Sequence, residues 1–203
     1  MAANTLQSLA TTTGLAELAK QLSGVDSFYN EGERSAPAIQ DLLRQEFQAD
    51  PSLQELTLKA TPGYPGGYFP AKDAIALGVL NPAVIAHELG HAKNIRKSRI
   101  YGKILGVATD AARVNNTAAI PAMLTLRTFI KDPALRSEIL NILSGISAAV
   151  NAPGLNEEMS ASVDAMRFTP DKLQALKTLI PAYLQHMAHA TLPALVYQAG
   201  KYL

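Results

Sequence analysis

The sequence predicts an α+β fold that is mainly α. Three observations carry that expectation. Alanine and leucine are abundant, and apolar residues recur at helical spacing over most of the 203 residues. Residues 54–77 alternate instead and are broken by Pro and Gly, which reads as a small antiparallel sheet. A capped helix then starts at Asn81-Pro82, so the sheet stands directly before it.

The elements follow in order. Residues 4–23 read as an amphipathic helix with Leu6, Leu9, Leu15, Leu18 and Leu22 as its apolar set, ended by Ser23-Gly24. Residues 35–49 read as a second helix, capped by Ser35 with Pro37 in its first turn and stopped by Asp50-Pro51. Residues 54–59 alternate like a strand, 61–67 form a turn-rich loop, and 68–70 and 74–77 read as short strands. The helix that opens at Asn81 should run to Lys97. Beyond it lie helices over 99–129, 133–150, 155–168 and 170–200. Pro121, Pro181 and Pro193 are candidate kinks, and Pro153-Gly154 a break. Domain organisation is expected to divide at residue 50, into a helical N-terminal appendage over 1–50 and a single larger domain over 51–203.

Composition narrows the classes. About 48% of the residues are apolar, enough for a sizeable core. The net charge is +1 and no basic patch is interleaved with aromatics, so nucleic acid is not an expected partner. The chain has no cysteine, which excludes disulfides and cysteine-ligated zinc. The N-terminal residues show neither a Sec signal nor a membrane anchor, which makes the cytoplasm the default expectation. Residues 139–155 carry no charge. They read as a buried core helix, with peripheral membrane contact through 136–155 as a further class. Oligomeric state is not legible.

The chemistry-bearing stretch is His87-Glu88-Leu89-Gly90-His91, an H-E-x-x-H motif in the middle of a predicted helix. Residues four apart share a helix face, so the two imidazoles meet one ion, and Glu88 lies one residue round as a general base. A hydrolytic zinc site takes a third protein ligand. His186 and His189 are the remaining histidines, and Glu157, Glu158 and Asp164 form an acidic cluster. Glu158, Ala161, Ser162 and Ala165 fall on one helical face whose small residues suit a close helix contact. That face aims Glu158 at its neighbour and turns Glu157 elsewhere, which leaves Glu157 as the adjacent alternative. Asp164 reads as a surface group or as an acceptor for a ligand histidine. The basic run Lys93, Arg96, Lys97, Arg99 and Lys103 reads as a solvated helix end.

These residues carry a resemblance. An H-E-x-x-H helix followed by a glutamate on a later helix resembles the gluzincin peptidases. The closer similarity is to small bacterial neutral zinc metallopeptidases, distantly related to the CAAX prenyl proteases and often membrane-associated. Their motif helix, H-E-x-G-H-A, is similar to His87-Glu88-Leu89-Gly90-His91-Ala92, and their E-x-x-A-S-x-x-A helix is similar to residues 158–165. The chain departs from them at Thr191-Leu192, where they tend to carry Thr-Tyr, and it shows no N-terminal transmembrane helix.

The resemblance implies a minimal gluzincin-like domain in which His87, His91 and Glu158 hold Zn²⁺. It implies a zinc-dependent metallopeptidase that hydrolyses peptide bonds through a water on the metal, with Glu88 as the base. The substrate would be a peptide or protein, laid along the sheet edge as an added strand. An oxyanion donor is also required. His186, His189, Tyr183 and Tyr197 qualify by residue type, and His189 is the catalytic candidate carried forward. The alternative class is a non-enzymatic structural or assembly protein that keeps a metallopeptidase-like fold, at a membrane or in a larger particle.

Overall fold

Strand pairing among residues 57–77 organises the first half of the chain. The computed structural model describes residues 4–22 and 32–202. Its elements run β1 (Asn4–Thr5), α1 (Leu6–Leu9), α2 (Thr12–Gln21), α3 (Ala36–Ala49), β2 (Thr57–Ala60), β3 (Gly66–Phe69), β4 (Ala74–Leu77), α4 (Pro82–Lys97), α5 (Arg99–Phe129), α6 (Pro133–Phe168) and α7 (Lys172–Ala199). The fold is α+β and mainly α, as expected. The sheet is mixed rather than antiparallel: its order is β1-β2-β4-β3, with β2 parallel to β4. The cause is local. β3 and β4 form a hairpin, and the loop over residues 61–65 carries the chain across the end of β4 to its other side. A Cβ on Gly78 would stand 1.7 Å from the Tyr64 carbonyl oxygen, so glycine is what lets the loop cross there. Thr61 N–H donates to the Leu77 carbonyl at 2.8 Å and Gly78 N–H to that of Pro65 at 3.2 Å.

The chain forms two compact units, one of Met1–Arg99 with Met159–Pro181, the other of Ile100–Glu158 with Ala182–Leu203. In the first unit, Leu6, Leu9, Leu15, Leu18 and Leu22 enter one core with Ile39, Leu43, Leu56, Ile75, Ile85 and Leu89. The N-terminal residues therefore share the core of the sheet. The second unit is helical, and its buried cluster is Ala119, Met123, Leu140 and Tyr197.

Several element expectations are corrected. Residues 4–22 are a strand and two short helices, not one helix. Thr11 caps α2 by accepting from Gly14 N–H at 3.1 Å, and a Cβ on Gly14 would lie 1.9 Å from the Ser8 carbonyl oxygen, so the chain doubles back there. Ser23-Gly24 lies outside the described residues. Ser35 does not cap α3; its hydroxyl donates to the Leu80 carbonyl at 3.2 Å. α6 continues through Pro153-Gly154, as α5 does through Pro121.

The β3–β4 turn puts Asp73 in the left-handed region at φ 44°. Its carboxylate accepts from Arg96 Nε at 3.1 Å and from the Tyr68 hydroxyl at 2.9 Å. The Arg96 hydrogen bonds hold the Asp73 carboxyl below its ordinary range, and the Tyr68 bond adds to that against partial burial. Burial, with Asp73 beside it, pushes Tyr68 up to about 12.

Candidate metal centre

Asn81 and Pro82 start α4 as the sequence requires: the Asn81 side chain accepts from Ala83 N–H at 2.9 Å and Val84 N–H at 3.3 Å. The helix is buried from Pro82 through Ala86 and again at Glu88, Leu89, Gly90, Ala92 and Lys93. Residues 159–168 of α6 pack against it. A Cβ on Gly90 would meet Ala161 Cα at 2.9 Å and its carbonyl oxygen at 3.1 Å, so the backbones touch. Ala161 and Ala165 are fully buried, and Asn94 donates to Ser160 at 3.0 Å. The small-residue face serves the close contact that its spacing predicts.

That contact fixes the imidazoles. His87 Nδ1 lies 3.2 Å from the Ser162 hydroxyl, which leaves His87 Nε2 turned inward, 3.1 Å from His91 Nε2. The rings stand edge to face, with centroids 4.6 Å apart. Glu158 sits one turn before Ser162 on the same helix. One ligand atom each from His87, His91 and Glu158 lies within 4.8 Å of the other two. Two imidazole nitrogens and a carboxylate oxygen, with a ring oriented from behind, are a donor set that suits zinc.

Glu88 is buried against β3. A Cβ on Gly66 would stand 3.1 Å from Glu88 Oε1 and 2.9 Å from Val84 Cγ1. The missing side chain at 66 is what gives the carboxylate room at the outer strand of the sheet. Glu157 is buried and accepts the Tyr101 hydroxyl at 2.7 Å. Burial and that carboxylate push Tyr101 up to about 12. Glu158 points the other way, as the helical face predicts.

Within the second unit, Glu158, His186 and His189 line a cleft of about 310 Å³ with Asn116, Asn151 and Leu155. His186 Nε2 lies 3.6 Å from Glu158 Oε2. His189 is on the same wall. Tyr197 is not a donor candidate here, because its ring fills the core beside Met123 and Leu140.

Two further expectations are corrected. Lys93 is not a solvated helix-end cation, and Asp164 does not serve a ligand histidine. Lys93 is buried and donates to both oxygens of the fully buried Glu46, at 3.1 and 3.2 Å. Asp164 lies 3.3 Å from the same ammonium, and the Phe168 ring centroid is 4.5 Å away. Burial raises the Glu46 carboxyl above its ordinary range, with Lys93 opposing. No local pattern signals this network, because Glu46, Lys93 and Asp164 lie far apart along the chain. In the sequence Ser162 stands out only as one of the small residues on the Glu158 face, not as a partner of His87, and Gly66 only as part of a turn-like doublet. Compared with known protein families, curated proteins and solved structures, the chain matches none.

Proposed function

We propose that the chain is a zinc-dependent peptidase with His87, His91 and Glu158 as ligands and Glu88 as its base. The observation that carries this reading is the pair of imidazole Nε2 atoms 3.1 Å apart with a carboxylate joining them. Zinc, when bound, would supply Lewis acidity towards a carbonyl and would acidify water. Glu88 takes the proton of the attacking water and returns it to the departing amine. Ser162 holds the His87 ring in orientation. β3, the outer strand beside Glu88, offers its edge to an extended peptide. His189, or His186 on the same wall, is the donor candidate for the oxyanion.

Metal analysis and proteolysis of a mixed peptide library test the reading together. The purified chain should hold about one zinc, lost in His87→Ala. Glu88→Gln should keep the zinc and lose a factor of about 10²–10⁴ in cleavage rate. A zinc-loaded chain that cleaves nothing, with Glu88→Gln indistinguishable from it, assigns the protein to the structural class instead.

A further inference from the structure

The second unit carries many exposed aliphatic side chains beside a small buried cluster. Ile100, Ile104, Val107 and Val114 on α5 are each more than half exposed. At 100° per residue they form one stripe, while Ile120 and Leu124, at least half exposed, lie on the opposite side of the helix. Ile142 and Ile146 on α6 and Leu184, Leu192 and Leu195 on α7 are also more than half exposed.

Charge is distributed to match. Residues 114–126, 139–156 and 178–200 carry no Asp, Glu, Lys or Arg. These stretches are about 20, 27 and 34 Å long at helical rise, against about 30 Å for the hydrocarbon layer of a bilayer. Arg127, Lys131 and Arg136 surround the α5–α6 turn, with the exposed Phe129 among them. Asp132 and Glu138 are the acids of this segment, which leaves it one net positive charge; Asp132 caps α6, accepting from Ala134 N–H at 2.8 Å. A Cβ on Gly200 would touch Met123 and Leu140, so α7 ends beside them and brings Lys201 and the exposed Tyr202 towards the same end.

We propose that this uncharged apolar band is a lipid-contacting surface, seated among acyl chains with its basic and aromatic end at anionic headgroups. Among the described residues no helix is long and apolar enough to cross a membrane, so the contact is lateral immersion of the unit rather than a span. Exposed aliphatics on opposite sides of α5 favour lipid over a second copy, which would cover one face. The inference is independent of the metal centre.

The test is co-sedimentation of the full chain with phosphatidylcholine vesicles, with and without phosphatidylglycerol, alongside light scattering of the chain in buffer. Binding should be stronger to the phosphatidylglycerol vesicles and weaken with salt. Ile142→Glu and Leu195→Glu should each lower partition by about tenfold or more, the loss implied by removing one buried aliphatic group. Ile142→Leu should bind as the parent does. Circular dichroism checks that the variants fold. Protein left in the supernatant with both vesicles overturns the proposal. So does binding that both glutamate variants leave unchanged, or a dimer that they dissociate.

Discussion

Gly66 and Lys93 show how single residues set the site. Gly66 is the neighbour that leaves Glu88 space, so Gly66→Ala would drive a methyl group to 3.1 Å from the carboxylate and 2.9 Å from Val84. The strand and α4 must separate or Glu88 must turn. We expect cleavage to fall at least about tenfold, as for a displaced catalytic group, with zinc content unchanged. Zinc lost along with activity would refute a role confined to Glu88. Lys93 is held between Glu46 and Asp164. Lys93→Met leaves Glu46 buried without its cation, at a cost of about 3–5 kcal/mol near neutral pH. The sign with pH follows from Glu46, whose carboxyl is already raised by burial. In the variant it rises further, so the folded state holds the proton where the unfolded chain releases it. Stability is then fully present below the ordinary carboxylate range and is lost as pH rises through the raised value. Denaturant midpoints from pH 4 to 8 should show the variant's deficit growing with pH; a constant deficit would deny the unpaired carboxylate.

Among elements, the α4–α6 contact matters most, because it carries both histidines and their orienting serine. Gly90→Ala gains about 1 kcal/mol of helix propensity but places a methyl group 2.9 Å from the Ala161 Cα. Backbone cannot give way as a flexible side chain does, and overpacking costs about 1–3 kcal/mol. The variant should be no more stable than the parent and should bind zinc about 10–100 times more weakly, as when the groups orienting a ligand are lost. Competition with a chromophoric chelator measures this, and parental affinity would show that the close approach is not needed. Much of this contact was legible in the sequence: the motif spacing, the Asn81 cap and the small residues after Glu158 are all local signals. The parallel β2–β4 pair was not, because it depends on a loop crossing at Gly78. The unbroken α6 was not either, since Pro153 and Gly154 announce a stop that the helix does not make.

At the scale of the whole molecule, the two units differ in how much they bury. The first holds an extensive leucine-rich core, while the second buries Ala119, Met123, Leu140 and Tyr197 as its cluster. Composition could not reveal this, because aliphatic residues at helical spacing look the same whether they face a core or the outside. Local opening free energy follows the apolar contacts that must be broken. Amide hydrogen exchange in lipid-free buffer should therefore be slowest in β4 and the buried stretch of α4, where Ile75, Leu77, Ile85 and Leu89 are fully buried. Amides in α5 and in residues 133–158 of α6 should exchange faster by about a factor of ten or more, the equivalent of 1.4 kcal/mol or above in opening free energy. Helical hydrogen bonds are formed in both units, so secondary structure alone predicts no such gap. Equal protection would mean that the second unit draws its stability from contacts other than its own core.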